Sequence, residues 1–300
     1  MANIHIPLLS ISRPAWEAFA LLPTEAYILG VFQRAIDIRI NDSIVALVTP
    51  ENKNGVFHLL VPMLPPPASI GTAALAVRQH TQGICIGHWL LAYSLPPPLW
   101  EPRVDWEALQ GGLTRPRMAQ LIAWLTSQPQ EMPSLFSRVL FGEVPAVLRD
   151  LEQGLFSTQK EQLQKAVGEI TGRGPGLTPA GDDFLAGIML ALHLYYANSA
   201  WRGDLCTLIY TSTIGKTTQL SQAFLQAASL GLADESWHIF FHALQRASAG
   251  DLEAACQNIL AYGASSGWDM LNGFFWMMEI AFNDINTKSL DDTNNIRFTI

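Results

Sequence analysis

The stretch from residue 172 to residue 187 constrains this chain more than any other segment. It reads GRGPGLTPAGDDFLAG, and its first ten residues hold four glycines and two prolines. Two adjacent carboxylates and an apolar run follow. Glycine permits positive φ angles and lets other groups approach the backbone closely. This order of residues therefore predicts a tight glycine loop that leads directly into a helix.

The start of that helix has the features of an anion site. Thr178 is suited to cap the helix, and Pro179 fits its first position. The exposed N–H groups of a first helical turn bind anions readily. Asp182 and Asp183 fall about one turn in, where the helix dipole favours carboxylates. We expect the ligand-binding part of this segment to comprise Arg173, Gly174, Gly176, Thr178 and Gly181.

A later segment, residues 263–273 (GASSGWDMLNG), repeats the pattern Gly-x-Asp-x-Leu-x-Gly. The four matched pairs are Gly181 with Gly267, Asp183 with Asp269, Leu185 with Leu271 and Gly187 with Gly273. Ser265, Ser266 and Gly267 would form the second helix start and bind ligand there. If the two helix starts face each other, they enclose a cleft of N–H donors and aspartates. The alternative is that the glycines only permit close helix packing and each aspartate caps its own helix.

Composition excludes several classes of function. The net charge is −8 and no run of Lys or Arg occurs, which argues against nucleic acid as a partner. Only 15% of the residues are charged, against about 25% in typical domains, which favours buried interfaces with other subunits. The three cysteines are scattered, as expected in a reducing cytoplasm. The start has no secretory pattern, and no apolar stretch is long enough to predict a membrane span.

The pattern of residues along the chain predicts an α+β protein. Residues 1–100 are expected to form a β-rich domain. It contains a small antiparallel meander of three strands, over residues 26–40, 43–48 and 56–61, with a tight turn at Asn54-Gly55. Residues 101–285 are expected to form a mostly α-helical domain that carries both glycine–aspartate loops. The helices are expected over residues 117–126, 145–155, 159–170, 178–198, 204–230 (as one helix or two), 235–248, 252–262 and 269–282. Prolines 96–98 mark the boundary. Residues 286–300 form a polar tail.

The segment Gly174–Gly187 closely resembles the signature of a bacterial family that includes the smallest subunit of oxamate carbamoyltransferase, encoded among allantoin-utilisation genes. The segment Gly263–Gly273 resembles that family's second motif. The resemblance implies a role in a multi-subunit enzyme that moves a carbamoyl group between phosphate and oxamate. In purine catabolism the reaction would be phosphorolysis of oxalurate to oxamate and carbamoyl phosphate. The expected ligands are therefore small anions, and the expected partners are other protein subunits.

Carbamoyl transfer requires donors for phosphate and carbamoyl oxygens and a base for an amide nitrogen. The loop from Arg173 to Thr178 could supply the donors. Asp182 or Asp183 could supply the base or hold Mg²⁺ against phosphate, and Asp269 is the third candidate catalytic carboxylate. No other cofactor is indicated, and the sequence names no definite metal ligands.

Two other classes of function stay open at this stage. The chain could be a non-catalytic structural or regulatory subunit that binds an anion, or a stand-alone hydrolase in which a metal assists the aspartates. Two further local patterns are weaker. The run Gly215-Lys216-Thr217 resembles the end of a phosphate-binding P-loop but lacks the earlier glycine and the preceding strand. His238 and His242 have metal-ligand spacing, but core or interface histidines explain them better.

Overall fold

The computed structural model describes residues 4–20, 22–66, 74–109, 111–129, 136, 138–156, 160–199, 201–246, 249–263 and 265–285. The chain divides into two compact units. The first contains the described residues up to Arg103 together with Ala233–Glu235. The second contains those from Val104 to Leu232 and from Ser236 onward. Strands fill the first unit and helices the second, so the predicted α+β class is confirmed.

Among the residues that the structure describes, the first unit is built on a ten-stranded mixed sheet. Its strands are β1 (Ile4–Pro7), β2 (Ser10–Ser12), β3 (Thr24–Val31), β4 (Ala35–Ile40), β5 (Ser43–Val48), β6 (His58–Leu60), β7 (Leu75–His80), β8 (Gly83–Ile86), β9 (Trp89–Ala92) and β10 (Leu99–Trp100). A short helix, α1 (Arg13–Glu17), follows β2. The order across the sheet is β1-β9-β8-β7-β3-β4-β5-β6-β2-β10.

The hydrophobic core of this unit follows the two-residue period of its strands. Successive side chains point to opposite faces, so alternate residues reach one core. On β4 and β5 the residues that do so are Ile36, Ile38, Ile40, Val45 and Leu47. Leu59, Val77, Ile84, Ile86 and Leu91 extend the same core along the sheet.

The predicted meander over residues 26–61 is correct only in part. The run expected to form one long strand turns between Val31 and Ala35, and gives the antiparallel pair β3 and β4. Strand β5 pairs antiparallel with β4, as predicted. Strand β6, however, runs parallel to β5, because residues 49–57 form a longer connection instead of a tight hairpin at Asn54-Gly55.

The second unit is helical. Its helices are α2 (Arg115–Ser127), α3 (Ala146–Phe156), α4 (Lys160–Ile170), α5 (Ala180–Tyr195), α6 (Trp201–Thr213), α7 (Gln219–Ser229), α8 (Glu235–Arg246, whose first residue groups with the first unit), α9 (Ala249–Leu260) and α10 (Ser266–Ile285). Within the part of the chain that the structure describes, no helix combines the length and apolarity needed to cross a membrane. The predicted polar tail, residues 286–300, lies outside the described residues.

Helices α5 and α10 form the centre of this unit, and two glycines bring their backbones together. A Cβ atom on Gly187 would lie 2.0 Å from the carbonyl oxygen of Met270, and one on Gly273 would lie 2.0 Å from that of Phe184. Both separations are far below van der Waals contact. The two contacts are reciprocal, because Gly187 and Gly273 hold equivalent places in the two sequence motifs, as do Phe184 and Met270. The repeated sequence pattern thus corresponds to a repeated packing arrangement.

The same relation extends to the helices that precede the pair. A Cβ on Gly181 would lie 2.1 Å from the carbonyl oxygen of Ile170 at the end of α4. A Cβ on Gly267 would lie 2.0 Å from that of Ile259 at the end of α9. Each central helix therefore begins tightly against the last turn of the helix before it. The glycines at these four positions have a packing role, as the alternative interpretation of the motifs proposed.

Candidate functional site

The starts of helices α5 and α10 lie side by side. The hydroxyl oxygens of Thr178 and Ser266 are 3.1 Å apart, within hydrogen-bonding distance. Near the other ends of the helices, the Tyr195 hydroxyl donates to the carbonyl oxygen of Ala281 at 3.1 Å. The two helices therefore run in the same direction, with both positive dipole ends at the same place. The two glycine–aspartate segments, 88 residues apart at these hydroxyls, meet at one site.

Asp183 lies where the two segments meet. Its side chain is only 7% exposed, and its Oδ2 atom has no hydrogen-bond partner among the described residues. Burial raises the pKa of Asp183 well above its ordinary value, although hydrogen bonds from Ser266 and Thr178 act in the opposite direction. The nearby carboxyls of Asp269 and Asp182 raise the pKa further. Asp183 is therefore a carboxyl group whose ionisation is costly and whose hydrogen bonding is incomplete.

Asp269 occupies the equivalent place on α10. Its side chain is completely buried, and it is close enough to Asp183 to act on the pKa of that group. In the same first turn, the backbone N–H of Asp269 donates to the Ser265 carbonyl oxygen at 3.0 Å, and the N–H of Gly267 donates to Tyr262 at 3.1 Å. The predicted residues Ser265, Ser266, Gly267 and Asp269 thus form one helix start, and it is Ser266 that contacts the first motif.

Asp182 plays a different part from its neighbour. Its Oδ1 atom accepts the backbone N–H of Gly172 at 2.8 Å. Its Oδ2 atom accepts the hydroxyl of Ser221 at 2.6 Å and the hydroxyl of Thr217. These three hydrogen bonds fix the glycine loop to the start of α7. Asp182 is 1% exposed and its oxygens are already used, so it is better suited to position the loop than to bind a ligand.

The first turn of α5 differs from its predicted form. Pro179 stands at the capping position and the helix begins at Ala180, so Thr178 does not cap it. The backbone N–H of Gly181 donates to the carbonyl oxygen of Arg173 at 2.8 Å, and that of Asp182 donates to Pro179 at 2.9 Å. The N–H groups of Gly181 and Asp182 are therefore used within the chain, so they are not exposed donors of the kind that the sequence predicts for this turn.

The donors that are not used lie just before the helix, in the glycine loop. Residues 173–177 are exposed. Gly172, Gly174 and Gly176 have φ angles of 72°, 118° and 93°, which side-chain-bearing residues rarely adopt. Among the described residues, no acceptor takes the backbone N–H groups of Gly174, Gly176, Leu177 or Thr178. This exposed run of amides, with the exposed side chain of Arg173 beside it, has the kind of donors that an anion requires.

A third loop, residues 214–218 between α6 and α7, contacts the glycine loop. Its Thr217 hydroxyl binds Asp182, and its Thr218 hydroxyl donates to the carbonyl oxygen of Leu177. Thr218 also accepts the N–H of Ser221 at 3.0 Å and so caps α7. In the sequence, Gly215-Lys216-Thr217 matches only the end of a P-loop, and no pattern links it with the glycine loop. The consecutive hydroxyl residues were the signal that could have indicated a cap.

Lys216 belongs to this third loop but lies against another helix. Its Nζ atom is so close to Gly168 on α4 that a Cβ added there would be 2.5 Å from it. Gly168 is in the last turn of α4, where the helix dipole attracts a cation. Because Lys216 is held against α4, the cationic side chain that adjoins the exposed amides of the glycine loop in sequence is Arg173.

The remaining candidates do not join the site. Among the described residues, no group of three or more His, Cys, Asp or Glu side chains is placed to hold a metal ion. His238 is half-buried and His242 is exposed on α8. His193 is a buried core group on α5 that stacks on Trp106, with ring centroids 5.3 Å apart. Cys85, Cys206 and Cys256 are all free and buried.

Comparison with known proteins gives a match over the part of the chain that contains both motifs. Residues 170–278 match the protein-family model described as "Oxamate carbamoyltransferase subunit AllH". The matched segment begins at the last residue of α4 and includes the glycine loop, the α6–α7 loop and the start of α10. The family resemblance predicted from the two motifs is thereby confirmed over these residues. No solved structure matches the chain significantly.

Proposed function

We propose that this chain is a subunit of a carbamoyltransferase that acts on oxamate or oxalurate and carbamoyl phosphate in purine catabolism. The observation that carries the proposal is the meeting of the two motifs. Exposed amide donors of the glycine loop lead, through Thr178, to a buried carboxyl group of Asp183 beside Asp269. An anion site next to a carboxyl with a perturbed pKa is what carbamoyl transfer to or from phosphate requires.

In the proposed reaction the loop binds the anionic groups of the reactants. Phosphate oxygens or a carboxylate would accept hydrogen bonds from the amides of Gly174, Gly176 and Leu177, with Arg173 adding positive charge. Binding both reactants in fixed positions supplies much of the rate enhancement in a group transfer of this kind. Asp182 contributes indirectly, because its bond to Gly172 holds the loop against the α6–α7 loop.

Asp183 is the proposed acid and base. In the phosphorolytic direction a phosphate oxygen bonds to the carbamoyl carbon of oxalurate, and the bond from that carbon to the oxamate nitrogen breaks. The leaving nitrogen must gain a proton, and a buried neutral carboxyl can donate it. In the reverse direction the same carboxylate takes the proton back from the oxamate nitrogen. The raised pKa of Asp183 fits this exchange.

The test is made on the chain co-purified with its partner subunits. The Asp183→Asn complex should assemble normally but lose at least 100-fold in turnover of oxamate with carbamoyl phosphate. Asp204→Asn is the matched control, because Asp204 is also an aspartate in the first turn of a helix but is exposed on α6. Full turnover by the Asp183→Asn complex would contradict the proposed role, and would favour a non-catalytic, anion-binding subunit.

A further inference from the structure

We propose that the paired carboxyl groups of Asp183 and Asp269 bind a primary amide group of the ligand, and that Asp269 makes the site select an amide over a carboxylate. This inference rests on the proposed function and specifies which end of the substrate the buried pair takes. The pair lies at equivalent positions in the first turns of two helices that run in the same direction. Both side chains are at least nine-tenths buried.

The burial and closeness of the two carboxyl groups limit the charge that the pair can carry. Two carboxyl groups placed close together in a buried site do not both ionise, because each negative charge opposes the other and burial opposes both. A state with one proton and one negative charge is therefore favoured over two charges, and the two helix starts stabilise that single charge. Asp183 keeps its proton more readily than an ordinary carboxyl, because its burial and the neighbouring Asp269 carboxyl raise its pKa.

The charge of the pair determines which ligand groups can form hydrogen bonds with it. A neutral carboxyl offers an O–H donor, whereas an ionised carboxyl offers only acceptors. A primary amide presents the complementary groups, a carbonyl oxygen that accepts and an NH₂ group that donates. A carboxylate ligand presents acceptors only, and it would bring a second negative charge to a buried, already charged pair. The pair is thus complementary to an amide and repels a carboxylate.

One carboxyl oxygen of the pair still needs a hydrogen-bond partner. Asp183 Oδ2 is buried and accepts or donates no hydrogen bond among the described residues. A buried polar atom in this state destabilises the protein unless a ligand or water satisfies it. Thr178 connects the Asp183 carboxyl group to the exposed loop, because its hydroxyl bonds to that group and its backbone N–H belongs to the unused loop donors. A ligand with an amide at one end and an anionic group at the other would form hydrogen bonds with both the Asp183 carboxyl and the loop amides.

The test measures binding to the full chain, alone and co-purified with its partner subunits. The ligands are oxamate, oxalate and N,N-dimethyloxamate, measured by isothermal titration calorimetry at pH 7.5. Oxamate should bind at least tenfold more tightly than either of the others, since oxalate adds a charge and the dimethyl compound has no N–H. In Asp269→Asn the preference for oxamate over oxalate should fall at least fivefold. Asp204→Asn should leave the preference unchanged.

A second pair of variants separates recognition from folding. Asp183→Asn keeps an N–H donor and should bind oxamate within about threefold of the wild type, whereas the similarly sized but apolar Asp183→Leu should lose detectable binding. Thermal melts of each variant report whether it is folded. Retention of oxamate binding by a folded Asp183→Leu protein would overturn the inference.

Binding of phosphate and carbamoyl phosphate is measured in the same samples. If these anions bind but oxamate and oxalate bind equally, the inference about the amide fails while the proposed anion site stands. If the amide preference survives in Asp269→Asn, the inference also fails. If no ligand binds to the assembled complex, the proposed function and the inference fail together.

Discussion

Two neighbouring residues, Asp182 and Asp183, show how far a sequence can assign roles to single side chains. The sequence presented them as equivalent candidates for a catalytic base. In the structure one carboxylate accepts three hydrogen bonds, whereas the other has an oxygen without a partner among the described residues. The difference arises because residues one apart on a helix point about 100° away from each other. Which of them meets α7 and which meets α10 depends on tertiary packing.

The buried carboxyl of Asp183 leads to a prediction about stability. Because its pKa is raised in the folded state, the folded protein holds a proton that the unfolded chain releases, so this group lowers stability as pH rises above about 4. Asp183→Asn removes that effect. The variant should therefore be more stable than the wild type at pH 7.5, and the advantage should shrink on acidification by at most about 1.4 kcal/mol per pH unit. Urea unfolding at pH 4.5, 6 and 7.5 measures this.

Asp37 provides a control for the effect of burial alone. It is a buried residue on β4 whose pKa is raised to about 6 by burial, and it lies far from the glycine–aspartate segments in sequence. Asp37→Asn should also stabilise the protein at pH 7.5 but leave carbamoyl transfer unchanged. If Asp183→Asn proved less stable than the wild type at pH 7.5, the account of its ionisation would be wrong.

At the scale of elements, the repeated glycines make the clearest prediction. In Gly187→Ala the new Cβ would meet the Met270 carbonyl oxygen, a backbone atom that moves only if α5 and α10 separate. We expect a loss of about 3 kcal/mol or more in the free energy of unfolding. Gly203→Ala is the matched control, since Gly203 is an exposed helical glycine with nothing within 4 Å of an added Cβ. It should gain up to about 1 kcal/mol.

The glycine loop permits a similar comparison. Gly176 has a φ of 93° and open space around an added Cβ, so Gly176→Ala tests backbone conformation without a steric clash. It should cost about 1 kcal/mol of stability and weaken phosphate binding about tenfold, because the loop amides would be displaced. Gly142→Ala has a similar φ, 85°, and equally open space elsewhere in the chain. It should cost similar stability but leave phosphate affinity unchanged, as calorimetry would show.

Helices were easier to predict from this sequence than strands, for a physical reason. The segments predicted as helices between residues 117 and 282 all appear, with ends shifted by a few residues, because the 3.6-residue period and the capping residues are local signals. The pairing of β5 with β6 was predicted in the wrong direction, because strand direction depends on where a connection crosses, and Asn54-Gly55 alone does not decide that. The glycine–aspartate repeat indicated that α5 and α10 begin alike, but whether the two helices meet depends on tertiary packing and stayed open.

The sequence did not indicate which backbone N–H groups at the helix starts are used within the chain. Thr178 and Pro179 match a capping pattern, yet the loop folds back so that Arg173 accepts the N–H of Gly181. The unused donors move to the loop before the helix. The contribution of Thr217, Thr218 and Ser221 also needed the structure, because these residues follow the first motif by about forty positions and no local pattern links them to it.

At the scale of the whole molecule, stability against acid reflects buried groups that act in opposite directions. Burial lowers the pKa of His193 to about 4, while the Asp183 and Asp37 carboxyls have raised pKa values. Between pH 6.5 and 4 the unfolded chain binds a proton at His193 before the folded chain does, so acidification costs stability through this residue. The two aspartates offset part of that loss, since their raised pKa values let the folded protein hold protons that the unfolded chain binds only near pH 4.

These opposing effects can be separated by removing the histidine. In His193→Gln an amide N–H can replace the ring Nε2 that contacts the carbonyl oxygen of Ser229 at 3.1 Å, but the residue no longer titrates. The variant should lose about 2–3 kcal/mol less stability than the wild type between pH 7.5 and pH 4.5. The exposed His242 provides the control, and His242→Gln should follow the wild-type profile. Parallel urea-unfolding profiles of His193→Gln and wild type would show that His193 titrates in the folded protein as it does in the unfolded chain.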